Sequence, residues 1–420
     1  MPDKKQKLYE VIERDKDELF GILSDLIKIN SENFGKYGNE EECPEFINNW
    51  FENLGFVGEV YSPLEVDGIT ENADYLAGRN LENRKNYTIV IPGENAIKTL
   101  MLAAHTDTVE IVDPAAWEFP ALSGEIKDGK IFGRGACDDK YGVALCMFLI
   151  KKMKELGITL PYNLVFSAYC DEEHGGSNGS LASCLKYKCD DCLNIDGCLG
   201  EISGSGVGGG GMIFNVSSKK PTSDCSTVIK GINLLIEKLE SFKTARVTEL
   251  QNNPIFTGSE VPENGMRIMY SHIGKPGGLN MDKGEFKITF YTDKTEEQIK
   301  EELNSILLSV EDEFEKLGLN KPVSQMTTRF FRYVEDEQIN PVTQKLIELG
   351  SENGMTFVSR GICLSDLPMF KIYGSPRAVT FGAGRSFGAK GGAHQVDEYI
   401  ECDALVRLTK IVAGFLADYK

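Results

Sequence analysis

The sequence predicts an α/β protein into which a small α+β domain is inserted. Three observations lead to this fold class. Near-continuous apolar runs, typical of strands buried on both faces of a sheet, alternate with stretches of helical periodicity. The pattern changes in the middle of the chain, after a glycine-rich segment. Beyond that region the first pattern resumes.

The main domain is predicted to begin with two helices. Apolar residues recur at helical spacing over residues 5–28, and a second helix fits residues 44–54, with proline in its first turn and Gly55 after its end. Further helices fit residues 140–156 and 403–416. The predicted strands are the apolar runs at residues 87–91, 100–104, 164–169, 193–195 and 378–381.

Residues 204–320 are predicted to form the inserted domain, and residues 1–203 and 321–420 the main domain. The glycine-rich segment 204–211 lacks the Lys-Ser/Thr ending of a phosphate-binding loop, so we interpret it as a hinge or crossing segment. The elements predicted after it are strands at residues 212–217 and 286–291, a helix at residues 224–242, and a helix that begins at the capping box of Thr295 and Gln298 and ends at Gly318.

The composition, with 41% apolar and 26% charged residues, is that of an ordinary soluble globular protein. A formal net charge of −19 disfavours nucleic acid as a partner, because nucleic-acid binding needs clustered Lys and Arg. No apolar run is long enough to predict a membrane span. The 11 cysteines, with no apolar signal core after Met1, lead us to expect a cytoplasmic protein with free thiols.

Cys189 and Cys192 form a CxxC pair, with Cys184 and Cys198 nearby. A zinc knuckle is one interpretation of this cluster. Since no second CxxC pair follows, we favour free thiols.

Metal-competent side chains follow the predicted strands, where α/β sheets bind their ligands. His105 ends one apolar run and stands two residues before Asp107. A histidine at this spacing can bind metal through one ring nitrogen while the aspartate holds the other. By itself this pair leaves open a solvated loop histidine.

Two acidic clusters extend this pattern. Asp138 and Asp139 open a predicted helix, and one such carboxylate can bridge two cations, although a plain helix cap is the alternative. Asp171, Glu172 and Glu173 directly follow another strand. Adjacent acids there are costly unless cations or water pair them, so one Glu can bind metal while its neighbour accepts a proton from water. An acidic surface turn is the alternative.

Asp196 follows a further apolar run, and His394 lies in a segment that begins with Gly391 and Gly392. Two histidines and three carboxylates suit zinc or a similar divalent ion. Two metals that share one carboxylate lie about 3.5–4 Å apart.

In this order the motifs resemble the di-zinc peptidase and deacylase family that includes acetylornithine deacetylase, succinyl-diaminopimelate desuccinylase, aminoacylase, bacterial glutamate carboxypeptidase and the carnosinase-type dipeptidases. The matching stretches are residues 105–109, 133–140, 171–173, 195–196 and 393–394 with Glu398. The resemblance spans nearly the whole chain, with a poor match in the middle. It implies a zinc-peptidase-like catalytic domain, with a mixed sheet flanked by helices, and a lid or dimerisation domain over residues 204–320.

The resemblance also implies a ligand set for two metal ions. Asp138 would bridge them, His105 and Asp196 would complete one site, and Glu173 and His394 the other. Zinc is the expected metal, and cobalt and manganese are alternatives.

Further roles follow from the resemblance. Glu172 would be the general base, Asp107 would orient His105, and the peptide bond between Asp138 and Asp139 would be cis. The implied reaction is attack of an activated water on an amide next to a free carboxylate, in a dipeptide or another small molecule. Asp196 favours a peptidase, either a dipeptidase, an aminopeptidase or a carboxypeptidase. The alternative is an N-acyl amino acid deacylase.

One departure from the family concerns a lid histidine, which relatives carry in a Gly-x-x-x-His segment. The matching stretch, residues 217–223, has none. His272 is a candidate replacement, although a solvated histidine is favoured, and Arg267 and Arg385 are candidates to bind a substrate carboxylate.

The missing histidine leaves open a metal-binding relative with impaired turnover, against which Glu172 argues. A nucleotide-binding α/β protein is disfavoured, because the glycine run lacks the strand-to-helix turn of that class. Relatives often dimerise through the lid, so a homodimer is expected.

Overall fold

The computed structural model describes residues 4–94, 97–259, 261–274, 278–336 and 340–419. The chain divides into two compact units. The first comprises Met1–Gly204, Asp336–Ser359 and Met369–Lys420, and the second comprises Ser205–Glu335 and Arg360–Pro368.

The helices in the described ranges are α1 Lys4–Arg14, α2 Lys16–Lys28, α3 Glu42–Asn53, α4 Lys140–Glu155, α5 Asn178–Lys186, α6 Ser226–Asn252, α7 Glu296–Ser309, α8 Glu311–Lys316, α9 Pro341–Glu352, α10 Leu367–Met369 and α11 Cys402–Asp418. The strands are β1 Glu59–Tyr61, β2 Asn86–Ile91, β3 Thr99–His105, β4 Ile126–Lys127, β5 Lys130–Phe132, β6 Asn163–Tyr169, β7 Asp191–Leu199, β8 Glu201–Ser203, β9 Gly208–Ser217, β10 Met266–Ile273, β11 Lys283–Thr292, β12 Val323–Met326, β13 Val358–Ser359, β14 Val379–Gly382 and β15 Tyr399–Glu401.

The first unit is built on a mixed sheet with the strand order β1-β2-β6-β3-β7-β14-β8-β13. Strand β3 runs parallel to both β6 and β7, whereas β2 is antiparallel to β6. Helix α4 packs on β3 and α2, and α11 packs on α1 and α9. The central strands are apolar along almost their whole length because helices and neighbouring strands exclude water from them. The predicted α/β fold, with a mixed sheet flanked by helices, is confirmed.

The second unit contains an antiparallel sheet with the order β10-β11-β9-β12. Helix α6 contacts both β11 and α7. The apolar faces of the sheet and of these helices form one core, which includes Phe214, Leu235 and Phe286. The unit continues past residue 320, the predicted boundary of the inserted domain, because β12 pairs with β9.

The glycine-rich segment 204–211, interpreted as a hinge or crossing segment, contains the division between the two units after Gly204, and its second half forms the start of β9. A Cβ atom at Gly208 would lie 2.8 Å from the backbone nitrogen of Tyr333, and one at Gly210 would lie 2.9 Å from the carbonyl oxygen of Arg329. Glycine is required there because another backbone segment packs directly against the strand.

Several predicted helices differ in extent from those observed. The helix expected over residues 5–28 is divided at Asp15, and the helix that follows Thr295 is interrupted at Val310. The capping box of Thr295 and Gln298 is present as predicted. None of the helices in the described ranges has both the length and the apolar character that crossing a bilayer requires.

Candidate metal centre

The carboxyl ends of three adjacent strands in the first unit deliver the candidate ligands. His105 is the last residue of β3 and lies in register with Tyr169, the last residue of β6. Glu173 follows β6, and Asp196 lies within β7, two residues after the partner of Ala103. Because these strands are parallel, their side chains reach the same edge of the sheet.

Two groups of side chains at this edge have metal-ligand geometry. His105, Asp138 and Asp196 each offer one ligand atom, and these atoms lie within 4.8 Å of one another. Asp138, Glu173 and His394 form a second such group. All five ligands inferred from the sequence are therefore brought together, and Asp138 belongs to both groups.

The two oxygens of Asp138 face different histidines. Its Oδ1 lies 3.1 Å from Nε2 of His105, and its Oδ2 lies 3.1 Å from Nε2 of His394. Nε2 of His394 also lies 3.0 Å from Oε1 of Glu173, and Nε2 of His105 lies 4.0 Å from Oδ1 of Asp196. One carboxylate thus lies between two half-sites. The peptide bond between Asp138 and Asp139 is cis, as the resemblance implied.

The electrostatics of this centre favour positive charge. Burial opposes ionisation of Asp138, yet hydrogen bonds with His105 and His394 hold the pKa of its carboxyl below the usual value. Burial also opposes protonation of His394, but Glu173 and Asp138 raise the pKa of its imidazole to about 11. Nitrogen and carboxylate donors in this mixture suit zinc and similar divalent ions, so the residues fit a pair of such cations.

Asp107 connects the centre to the loop that follows β6. Its backbone carbonyl lies 3.0 Å from Nδ1 of His105, and its Oδ1 lies 3.6 Å from the same nitrogen. Its carboxylate also accepts the backbone N–H groups of Glu172 at 3.1 Å and Glu173 at 3.0 Å. Burial raises the pKa of Asp107, but the hydrogen bond and charge of His105 and the hydrogen bonds from Asn33 and Glu173 together outweigh burial, and the pKa is about 2. The side chain is therefore an ionised acceptor.

Glu172 belongs to neither ligand group in the described residues and is partly exposed. Its negative charge is near enough to His105 to raise the pKa of that imidazole. Glu172 is thus a carboxylate outside both ligand groups of the described residues, and its charge acts on one of the ligands.

Asp139 and Asp171, the remaining aspartates of the two acidic motifs, belong to neither ligand group in the described residues. Oδ2 of Asp139 accepts the backbone N–H of His105 at 3.2 Å. Asp171 turns away from the ligand groups, and its Oδ1 accepts Nη1 of Arg79 at 2.7 Å and Nη1 of Arg84. No sequence pattern points to these arginines, because they lie outside every predicted helix and strand and far from Asp171 in the chain.

Glu398 binds the His394 loop to the Asp138 loop. Its Oε2 accepts Nη1 of Arg134 at 2.6 Å, and its Oε1 accepts the backbone N–H of Cys137 at 3.0 Å. Burial raises the pKa of Glu398 to about 7. This pairing explains why Glu398 accompanies the histidine in the sequence motif.

The three substrate-binding candidates differ in their exposure and in their contacts. Arg267 is exposed and donates to the hydroxyl of Tyr291 at 3.1 Å. The side chain of His272 is 56% exposed. The guanidinium of Arg385 lies over the ring of Tyr399 at 4.0 Å. Both arginines make contacts within the protein, and their role in substrate binding stays a prediction.

In the part of the chain that the structure describes, the cysteine cluster is not among the groups with metal-ligand geometry. All the cysteines are free, and neither group with ligand geometry in the described part of the chain contains a cysteine. The free-thiol interpretation agrees with this arrangement.

A family model described as Peptidase family M20/M25/M40 matches residues 101–418. An N-formyl-4-amino-5-aminomethyl-2-methylpyrimidine deformylase from Halalkalibacterium halodurans is 22% identical over 448 residues, which cover 99% of this chain and 97% of that protein. A succinyl-diaminopimelate desuccinylase from a Bradyrhizobium species is 38% identical over 112 residues, which cover 26% of this chain and 29% of that protein.

Among solved structures, human carnosine dipeptidase 1 shares the fold with a TM-score of 0.69 and 15% sequence identity. The superposition covers 99% of this chain and 98% of that chain.

Proposed function

This chain belongs to Peptidase family M20/M25/M40 and is a metallohydrolase of amide bonds, and we propose that it cleaves the amide next to a free carboxylate in a dipeptide or a short peptide. The observation that carries the proposal is the position of Asp138. Its two oxygens face His105 and His394, and the partly exposed Glu172 directly precedes Glu173, a member of the second ligand group. This combination serves hydrolysis better than simple metal storage, because storage has no use for a base.

We assign two divalent cations to the centre, zinc in the first instance, with cobalt and manganese as alternatives. Asp138 would hold both cations, with His105 and Asp196 on one and Glu173 and His394 on the other. Such cations, when bound, polarise the amide carbonyl and lower the pKa of an attacking water.

The protein's own groups carry the proton through the reaction. Glu172 accepts the proton of the attacking water and delivers it to the leaving amine, so the products are a carboxylic acid and an amine. Asp107 fixes the orientation of His105 and holds the backbone of Glu172 and Glu173 in place. The base and the ligands are therefore parts of one hydrogen-bonded unit.

A second candidate function is removal of a small acyl group, such as formyl, from an amine. The H. halodurans relative, which aligns along nearly the whole chain, is named a deformylase, and the partial match is named a desuccinylase. The same centre serves this reaction, because a formamide or a succinamide is also an amide. Asp196 favours the peptidase, as the sequence analysis argued.

A substrate panel separates the two candidates. The metal-loaded protein is assayed with dipeptides, with the same dipeptides as C-terminal amides, and with N-formyl, N-acetyl and N-succinyl amines. Peptidase action next to a free carboxylate predicts that amidation of the C-terminus lowers kcat/KM by about 10-fold to 10²-fold, the value of one lost charge-assisted hydrogen bond. Faster turnover of an N-acyl amine than of any dipeptide would instead favour the second candidate.

We further propose a cytoplasmic location and a homodimer formed through the second unit. Free cysteines suit a reducing compartment. Strand β10 lies at the edge of its sheet, and its residues Ile268, Met269 and Tyr270 are exposed. An apolar strand at a sheet edge can pair with a second copy of the chain. Light scattering of the wild type and of Met269→Lys tests the dimer, and a wild-type monomer would contradict it.

A further inference from the structure

The loop that carries Glu172 and Glu173 has an unusual backbone. Asp171 has φ of 60° and His174 has φ of 57°, both in the left-handed region that residues other than glycine seldom adopt. Such conformations persist only where the surrounding structure holds them. The residues on either side of the proposed base are therefore under restraint.

Arg79 supplies that restraint from outside the loop. Its Nη1 donates to Oδ1 of Asp171 at 2.7 Å and to the carbonyl oxygen of Glu173 at 3.3 Å. Its Nη2 donates to the carbonyl oxygen of His174 at 2.5 Å. One guanidinium thus binds the residue before Glu172 and the two residues after it. Only a forked donor spans these acceptors, because a lysine ammonium is a single point of charge.

Arg84 binds the same carboxylate but has a different role. It is fully buried, and its Nη1 also faces Glu40 at 3.2 Å. Its Nη2 donates to the carbonyl oxygen of Gly35 at 2.8 Å. In the described hydrogen bonds, Arg84 meets the loop at the Asp171 carboxylate, whereas Arg79 also reaches the backbone carbonyls beyond Glu172. Arg84 anchors the start of the loop in the core, and Arg79 fixes the course of the loop.

We propose that Arg79 is a positioning residue of the hydrolytic reaction. It holds the loop so that the Glu172 carboxylate stays where it accepts the proton of the attacking water. The Arg79 side chain is only 6% exposed and contacts the loop, so it acts on the reaction by holding the loop and not by binding substrate. This inference rests on the proposed function, in which Glu172 is the general base.

The test begins with Arg79→Lys, which keeps the charge and loses the fork. We expect kcat to fall about 10²-fold, the cost of a small displacement of a catalytic group. KM and the number of bound metal ions should stay close to wild type, because the ligands have their own contacts. Arg79→Gln is measured in parallel, so that a folding defect in one variant does not decide the result.

Arg377→Lys is the matched control. Arg377 also binds a carboxylate and a backbone carbonyl, with Nε 2.7 Å from Asp191 and Nη2 donating to the carbonyl of Asp190 at 3.2 Å. These residues lie at the amino end of β7, the end opposite to the ligands. The control should keep wild-type kcat.

A double-mutant cycle with Glu172→Asp shows whether Arg79 acts through the base. In the Glu172→Asp protein the carboxylate is already displaced, because aspartate is one methylene shorter than glutamate. Arg79→Lys should therefore lower kcat of the Glu172→Asp protein by much less than it lowers kcat of wild type. An equal fall in both backgrounds would overturn the positioning role while leaving the base assignment intact. Wild-type turnover by Glu172→Asp and by Glu172→Ala would overturn the assignment of Glu172 as the base, whereas failure of the metal-loaded wild type to hydrolyse any amide in the substrate panel would overturn the proposed function itself.

Discussion

The backbone N–H of Glu172 donates to the carboxylate of Asp107 at 3.1 Å, and the same aspartate faces Nδ1 of His105. The proposed base and a proposed metal ligand therefore depend on one side chain. This relationship makes Asp107 more than an orienter of the histidine.

Asp107→Asn is expected to weaken both functions. Asparagine has one acceptor oxygen in place of two, so it cannot accept from Glu172, Glu173 and Asn33 as the carboxylate does. We expect a loss of about 10-fold to 10²-fold in metal affinity or kcat, measured by metal titration and steady-state kinetics. Asp25→Asn, at an exposed ion pair with Lys28, is the control and should change neither. An Asp107→Asn protein with wild-type values for both would show that the carboxylate is dispensable.

Glu172→Ala is expected to lose turnover and keep its metals. Removal of a general base typically costs about 10²-fold to 10⁴-fold in rate, and Glu172 lies in neither ligand group of the described residues. Kinetics and elemental analysis of the same sample check both halves of the expectation. Glu110→Ala, which removes the partner of His174 at 2.9 Å, is the control. Wild-type hydrolysis by Glu172→Ala would reassign the base.

Asp138→Ala is expected to lower the content of both metal ions, whereas Asp196→Ala should lower only one. The reason is that Asp138 belongs to both ligand groups and Asp196 to one. Elemental analysis after dialysis distinguishes these stoichiometries. A Cys189→Ser/Cys192→Ser double variant should keep the wild-type count, and loss of metal from it would revive the zinc-knuckle interpretation.

Arg84→Met is expected to destabilise the first unit. It leaves Asp171 and Glu40 buried without the guanidinium that lies between them, and breaking a buried ion pair in this way costs about 3–5 kcal/mol. Urea denaturation of the metal-free protein measures the loss in free energy of unfolding. Arg14→Met, at a side chain that is 68% exposed, should leave the midpoint nearly unchanged. Similar midpoints for the two variants would mean that the buried pair contributes no stability.

The ion pairs of Asp15 predict a dependence of stability on pH. Hydrogen bonds with Arg14 and Lys152 hold the pKa of the Asp15 carboxyl well below its usual value. The Asp15 carboxyl therefore binds a proton more readily in the unfolded chain than in the folded protein. The stabilisation by its ion pairs is complete above about pH 4, the pKa in the unfolded chain, and is lost as the pH falls through the lower pKa of the folded protein. Solvent screens the pair, so the contribution is about 1 kcal/mol at most.

Urea denaturation of wild type and Asp15→Asn, repeated from neutral pH to about pH 3, measures this contribution. The difference in the free energy of unfolding should be constant near neutrality and should shrink on acidification. A difference that grows in acid would contradict the sign.

The sequence identified the candidate metal ligands because strand ends leave a strong local signal. His105, Glu173 and Asp196 each follow or end an apolar run, and parallel strands bring such positions together. The ordered motifs then added Asp138 and His394 through the resemblance. The local pattern was therefore enough to predict a candidate ligand wherever that residue lies at the end of a strand.

The contacts that hold the ligand-bearing loops in place could not be predicted from the sequence. Arg79 and Asp171 are 92 residues apart, and nothing in the neighbourhood of either predicts their contact. The role of the glycines at the start of β9 could not be predicted for the same reason. They allow close contact with a backbone segment near Tyr333, which is distant in sequence. Contacts set by tertiary packing cannot be found from periodicity in a single chain.

The strand order of the first unit has a consequence for synthesis of the protein. Strand β14 lies between β7 and β8, although about 180 residues separate it from them in the chain, and His394 follows it. The ribosome makes the whole second unit before it makes β14. The sheet therefore closes late, and a nascent chain lacks the complete set of proposed metal ligands until residue 394 has left the exit tunnel.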